Sequence, residues 1–242
     1  MGSTVAVCIP VLDDLESLRV TIPYTKRWAD QVVIVDSGST DGGKEFLKWF
    51  LEPQDRIIEH PDDLGVGMDA LRNLAASEAT TDWIFAMDAD CMLKPGDVTQ
   101  LRLCLESPDP VLRVQRLYCE FSADFTVLQA EKALETMKLH SEDQDWLYRK
   151  NSGLQFKGYI HETLINRPTE VRGSGVTLYH FVGIKGPAKA GRSAYRLKKV
   201  VVTDALKDGV NPYWYGEYYN RHKAMFDDIA GDYADRHGLP RF

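Results

Sequence analysis

An α/β fold with a mostly parallel central sheet flanked by helices is what this sequence predicts, and three observations predict it. Across the first ninety residues, β-branched runs of four to six residues alternate with segments of helical apolar spacing, the pattern of parallel strands joined by crossover helices. The strand runs are apolar throughout rather than alternating, as expected of strands covered on both faces. Each of three runs ends on a polar cluster: Pro10-Val11-Leu12-Asp13-Asp14, Asp36-Ser37-Gly38-Ser39 and Asp88-Ala89-Asp90. Right-handed crossovers bring such strand ends to one edge, and open α/β sheets bind ligands at that edge.

Taken in order, residues 5–9 form a first strand closed by Pro10, and residues 15–28 have helical spacing interrupted at Pro23. Residues 32–35 form a second strand ending at Asp36, and a turn rich in helix-capping side chains leads into a helix over 44–51. A third strand covers 56–59. A helix over 67–79 carries Leu71, Leu74 and Ala75 on one side, and a fourth strand over 83–87 runs into Asp88. After Pro95-Gly96 the pattern changes. Residues 97–106 read as a helix, 111–118 as an alternating, exposed-edge strand and 128–149 as a long charged helix. Residues 154–165 and 176–181 read as strands, and 188–207 and 212–229 as helices. No repeat or low-complexity linker divides the chain, so both parts are expected to pack as one unit.

The 242 residues, 44% of them hydrophobic, suit one globular domain. There is no run of eighteen apolar residues and no basic-then-apolar leader, so a cytoplasmic protein without a transmembrane segment is expected. Cys8, Cys91, Cys104 and Cys119 match no zinc spacing and read as reduced thiols. The net charge of −7 conceals an asymmetry: 13 Lys/Arg against 27 Asp/Glu give −14 over residues 1–148, whereas 14 against 5 give +9 over 149–223. Acidic groups that gather a cation and basic groups that meet phosphates would produce this split, and so would ordinary solvated faces.

Asp88-Ala89-Asp90 is the sharpest local signal. Two carboxylates two residues apart, emerging from the apolar run Trp83-Ile84-Phe85-Ala86-Met87, supply oxygen ligands for a hard divalent cation that keeps positions open for phosphate. The bland alternative is a turn with Asp at a helix N-cap. Asp36 stands where it could accept hydrogen bonds from a base or ribose, while Ser39, Thr40 or Asp41 most simply caps the next helix. Gly65-Val66-Gly67-Met68-Asp69-Ala70 spells a dinucleotide fingerprint, but Pro61-Asp62-Asp63 separates it from the preceding strand, which that tight turn does not allow. Arg72, in the helix that follows, could reach a phosphate.

Val5-Ala6-Val7-Cys8-Ile9-Pro10, Val33-Ile34-Val35-Asp36-Ser37-Gly38-Ser39-Thr40-Asp41, Gly65 followed by Arg72-Asn73, and Trp83 to Asp90 resemble the ordered motifs of the family 2 glycosyltransferases with the GT-A fold. The resemblance covers about residues 4–97. It implies that Pro10, Val11, Asp13 and Asp36 hold the nucleoside, that Asp88 and Asp90 bind ribose and a metal-bridged diphosphate, and that Arg72 serves the donor. It further implies one domain with a nucleotide-sugar-binding part over 1–97 and an acceptor-binding, site-completing part over 98–242 that forms a C-terminal extension. Leu12-Asp13 departs from the family, which often has an aromatic or small residue followed by Asn. More loosely, Lys157-Gly158-Tyr159-Ile160-His161-Glu162 is similar to the Gly-x-Ile-His-Glu element of a subset of the family, and Val176 to Gly183 to its His-bearing strand. The resemblance places His180 beside Asp88 and Asp90 as a ligand of Mn2+ or Mg2+, although its register with Val176 and Leu178 equally suits a buried histidine. Glu162 is the candidate base for an inverting transfer, with a structural ion pair as its alternative and Asp124 as a weaker candidate. Lys185, Lys189, Arg192 and Arg196 could cover the diphosphate. Tyr213-Trp214-Tyr215 and Tyr218-Tyr219 read as core packing or as a stacking surface.

The expected activity is therefore metal-dependent, inverting transfer of a hexosyl or pentosyl group from a nucleotide-diphosphate sugar, a UDP-sugar foremost, to an acceptor hydroxyl on a glycan, protein or lipid-linked molecule. Hydroxymethylated bases of phage DNA are an alternative acceptor that the basic segment keeps open. A nucleotidyltransferase would carry a glycine-rich basic loop where Val11-Leu12-Asp13-Asp14 is acidic. A non-catalytic nucleotide- or glycan-binding module would tolerate loss of the paired aspartates that this chain keeps.

Overall fold

The computed structural model describes residues 2–60, 67–119, 141–158 and 162–181, together with Asp235. Strands β1 (Val5–Val11), β2 (Gln31–Asp36) and β4 (Trp83–Ala86) are buried along their whole length, which is why their sequences read as unbroken apolar runs. β3 (Arg56–Glu59) lies at the sheet margin and is only partly buried. Together with β5 (Cys91–Leu93), β6 (Val111–Cys119), β7 (Ser141–Arg149) and β10 (Arg172–Phe181) they form one eight-stranded sheet in the order β3-β2-β1-β4-β7-β6-β10-β5. Six of these strands run one way, and β7 and β5 oppose them. β8 (Gln155–Lys157) and β9 (Thr163–Ile165) pair as a separate antiparallel hairpin.

Four helices are described: α1 (Leu15–Thr25), α2 (Gly43–Leu47), α3 (Met68–Glu78) and α4 (Val98–Cys104). α1 buries Leu18 and Ile22 and ends two residues after Pro23, which has no N–H to continue the i→i−4 ladder. Asp41 ties the starts of two helices, its carboxylate accepting from Gly43 N (2.9 Å) and from Leu15 N (2.7 Å). The core gathers Trp83, Phe85, Ile34, Leu47 and Leu71 between sheet and helices. Cys8, Cys91 and Cys104 are free and buried. Among the described residues no helix is long and apolar enough to cross a membrane.

Two elements differ from the sequence expectation, for one physical reason. β6, expected at an exposed edge, lies inside the sheet between β7 and β10, and residues 141–149, expected to be helical, form β7. β6 carries Arg113 and Arg116 and the first half of β7 carries Glu142, Asp143 and Asp145, and these charges neutralise one another across the strands. Arg113 pairs with Asp145 (2.9 Å), Arg116 with Glu142 (2.5 Å), and Arg167 also reaches Asp145 (3.2 Å). Cross-strand pairs of opposite charge stabilise a sheet, so the polar face that suggested solvent is matched instead by a partner strand. Residues 154–165, expected as one strand, fold as the β8–β9 hairpin. β5 has only three residues and gives no periodic signal.

The parallel margin is pinned by a buried ion pair. Asp55 accepts from Lys26 Nζ (2.6 Å), Val32 N (2.7 Å) and Glu52 N (2.8 Å), joining the end of α1 to β2 and the approach to β3. Asp55→Ala leaves two amides without their acceptor and the Lys26 ammonium with Glu52 alone, and unfolding free energy should fall by about 3 kcal/mol, read as a lower urea midpoint at unchanged slope. Burial pushes the Lys26 ammonium down, but its bonds and charge interactions with Asp55 and Glu52 outweigh this and hold it above 10.5. The pair's contribution is complete below the unfolded lysine value and disappears as pH rises through the folded one. The stability gap between the parent protein and Lys26→Met should therefore close only at strongly alkaline pH.

Candidate active site

The ends of β1 and β2 are laced together. Val11 lies opposite Asp36 in the parallel register, Ser37 N donates to Val11 O (2.9 Å), Asp13 N to Ser39 Oγ (3.0 Å), and Thr40 N to Asp13 Oδ1 (2.8 Å). Asp13 adopts a φ of 51°, a left-handed conformation that aspartate tolerates better than most residues. Pro10 and Val11 are buried in the last turn of β1. Asp36 is 1% exposed; its Oδ1 accepts from Gly38 N (2.7 Å) and Ser39 N (2.8 Å), while Oδ2 is buried and has no hydrogen-bond partner among the described residues. A buried carboxylate oxygen without a donor carries a desolvation cost that a ligand N–H or O–H would relieve.

Beside it, β4 gives way to Asp88-Ala89-Asp90, and a turn closed by Cys91 N on Asp88 O (3.0 Å) starts β5. β5 runs antiparallel to β10 with Cys91 opposite His180, and Phe181 N donates to Asp90 O (2.8 Å). That register sets His180 Nε2 3.3 Å from Asp90 Oδ1. Candidate ligand atoms of Asp90, Cys91 and His180 all lie within 4.8 Å of one another. A carboxylate and an imidazole side by side, with Asp88 two residues away, fit a divalent cation.

Asp88 belongs to a second constellation. Arg72, on the buried side of α3, donates from Nη2 to Asp88 Oδ1 (2.5 Å), from Nη1 to Met87 O (3.3 Å), and from Nε to Glu162 Oε1. Its guanidinium packs on the rings of Trp146 (4.9 Å) and Phe156 (5.5 Å). Arg116 stacks on Trp146 as well (5.0 Å) and lies 3.4 Å from Asp88 Oδ2. Burial opposes the charge on Asp88, yet Arg72 most of all, with Arg116 and His180, holds its carboxyl below the usual range against repulsion from Asp90. Burial likewise opposes charge on Arg72, and Glu162 and Asp88 reverse that effect, so it stays a cation.

α3 also builds the hairpin that carries Glu162. The Asn73 side chain bonds Phe156 at both its O and its N (2.9 Å each), and Asp69 Oδ2 accepts from Gly158 N (3.0 Å). Gly158 has a φ of 128°, and a Cβ there would come within 3.2 Å of Glu162 Cα. The glycine allows the close approach that delivers Glu162 to Arg72.

The structure thus gathers Pro10, Val11, Asp13, Asp36, Arg72, Asp88, Asp90, Glu162 and His180 at one end of the sheet. Lys185, Arg192, Lys189, Arg196, His161, Asp124, Gly65 and the tyrosines at 213–219 lie outside the described residues. Arg116, Glu142 and Trp146 were not singled out from the sequence. The available signal was a cation at an inward-facing position of an alternating strand.

The family model for glycosyl transferase family 2 matches residues 6–161. The chain belongs to glycosyl transferase family 2. It is 27% identical over 158 residues to a TPR repeat-containing protein of Synechococcus elongatus, a match that covers 65% of this chain and 34% of that protein. The family 2 chain described here therefore spans about a third of the length of that curated relative. Among solved structures it is similar to S. aureus TarS 1–349 in complex with UDP (12% identity, TM-score 0.48, 97% of this chain and 71% of that one). It is also similar to glucosyl-3-phosphoglycerate synthase from Mycobacterium tuberculosis in complex with Mn2+, UDP and glucosyl-3-phosphoglycerate (24% identity, TM-score 0.35, 49% of this chain and 45% of that one).

For this family 2 chain, the Arg72 array implies a measurable coupling. Arg72→Met strands the buried Glu162 carboxylate and should cost about 3–5 kcal/mol of unfolding free energy. Adding Glu162→Gln to that variant should restore part of the loss. Additive losses in a urea-denaturation cycle of the two single variants and the double variant would show that Arg72 and Glu162 do not act as a pair.

Proposed function

We propose that this chain transfers a sugar from a nucleotide-diphosphate donor, a UDP-sugar foremost, to an acceptor hydroxyl with inversion at the anomeric carbon. The observation that supports this reading best is the meeting of Asp90 with His180 at 3.3 Å, beside the Asp88–Arg72–Glu162 array, at the edge where β1, β2 and β4 end. Pro10, Val11 and Asp13 frame the nucleoside, and Asp36 Oδ2 accepts from its base or ribose. Asp88, Asp90 and His180 hold Mn2+ or Mg2+, which when bound neutralises charge developing on the departing diphosphate. Arg72 keeps Asp88 ionised and oriented, and Lys185 and Arg192 are assigned to the diphosphate.

Glu162 is the base. Arg72 holds its Oε1, which leaves Oε2 to receive the acceptor proton as the hydroxyl attacks opposite the leaving group. A single displacement with one carboxylate base inverts the anomeric centre. Glu162→Gln keeps a hydrogen-bond acceptor for Arg72 but no useful basicity. It should lower kcat by roughly 10²–10⁴-fold, with donor affinity nearly unchanged. A variant with normal kcat would remove Glu162 from this role and leave it as an ion-pair partner of Arg72.

Incubation with a panel of nucleotide sugars plus Mn2+, reading nucleotide release, identifies the donor through slow hydrolysis even without an acceptor. EDTA should abolish release, and Asp90→Ala should cost on the order of a hundredfold or more. His180→Ala should weaken metal-dependent donor binding at an unchanged melting temperature. Full activity in EDTA would end the metal reading. A lowered melting temperature with normal donor binding would assign His180 to the core.

A further inference from the structure

The metal-ligating group at this site contains an atom that the sugar-transfer reading does not use. Cys91 Sγ lies with Asp90 Oδ and His180 nitrogen in a cluster whose members are all within 4.8 Å. The arrangement follows from the fold. Cys91 and His180 are direct partners in the antiparallel β5–β10 pair, so their side chains share a face, and Phe181 N on Asp90 O (2.8 Å) locks the register. Asp88, the other neighbouring carboxylate, is engaged by Arg72 at Oδ1 (2.5 Å) and approached by Arg116 at Oδ2 (3.4 Å). The third donor atom in the cluster is sulfur.

We propose that Cys91 is a third protein ligand at the Asp90–His180 site, and that it makes the site bind thiophilic divalent cations such as Zn2+ and Co2+ in preference to Mn2+ and Mg2+. This rests on the reading of Asp90 and His180 as metal ligands. One oxygen, one nitrogen and one sulfur form the mixed donor set that zinc favours, whereas Mg2+ takes oxygen and gains nothing from a thiol. Zn2+ also stands above Mn2+ in intrinsic affinity for such donors. Cysteine ligates a metal as the thiolate. Coordination therefore exchanges one proton for one metal–sulfur bond: the thiol S–H bond breaks, its electron pair goes to the metal, and the proton leaves to solvent. Mn2+ and Mg2+ leave that proton in place and bind through the carboxylate and imidazole donors alone.

Co2+ is the probe. Titration of the full chain should develop one thiolate-to-cobalt charge-transfer band in the near ultraviolet, saturating at one ion per chain and releasing about one proton per ion in weak buffer. Cys91→Ser should remove the band, and His180→Ala should weaken it while Cys91 remains. Zn2+ affinity from competition should fall at least about tenfold in Cys91→Ser and in Cys91→Ala, with Mn2+ affinity unchanged. The second variant and a melting curve guard against loss of the fold, since Cys91 is fully buried. Cobalt bound with its visible absorption but no charge-transfer band, or a band that survives in Cys91→Ser, overturns the proposal and leaves the Asp90–His180 reading standing. No cobalt binding at all, by absorption or calorimetry, overturns both.

Discussion

The buried guanidinium of Arg72 is the interaction on which this site depends. It ties α3 to the end of β4 through Asp88 and Met87 O, and to the β8–β9 hairpin through Glu162. Removing three charges from water costs several kcal/mol each, and the arrangement survives only if every charge is answered. Here the answer is geometric. Nε, Nη1 and Nη2 point to three different acceptors, and the guanidinium lies over the rings of Trp146 and Phe156. A lysine could offer one point charge but neither the fork nor the flat faces. The same residue therefore sets where Asp88 and Glu162 stand and keeps Asp88 ionised.

A second constraint is register. His180 is ninety positions from Asp90, yet three residues of β5 bring them together by pairing with β10. A slip of one residue would turn His180 to the other face and dissolve the pair. The backbone bond from Phe181 N to Asp90 O resists such a slip. The candidate metal site is thus a property of strand pairing rather than of the aspartate motif alone, because Asp88 is committed to arginines and Asp90 needs its partner delivered from another strand.

These two devices explain what the sequence disclosed. The parallel half was legible because β1, β2 and β4 are buried along their whole length and alternate with helices, so local composition and fold agree over the described residues between Val5 and Met87. The strand ends Asp13, Asp36 and Asp88 could be grouped from topology before any distance was known. The antiparallel half was not legible in this way. Glu142, Asp143 and Asp145 look like a solvated helix face until Arg113 and Arg116 are placed opposite them, and that placement is tertiary. β5 is too short to show a period. Arg116 looked like one more surface cation, and its burial against Trp146 depends on β7 being a strand. The ion-pair alternative for Glu162 was open from composition, but its partner, ninety residues earlier in α3, was not.

The acidic edge also shows how the fold separates structural carboxylates from those suited to ligands. Asp13 and Asp41 spend their oxygens on backbone amides of the loops they hold. Asp55 does the same with an ammonium added. Asp88 is neutralised by guanidiniums. Asp36 divides its oxygens, one on two amides and one buried without a donor among the described residues. Asp90 faces an imidazole and a thiol, groups whose lone pairs suit a metal better than they suit a carboxylate. Residue type alone does not tell these six aspartates apart. What distinguishes them is the partner each meets, and the two whose partners leave an acceptor unspent or suit a cation, Asp36 and Asp90, follow β2 and β4, the two strands that flank β1.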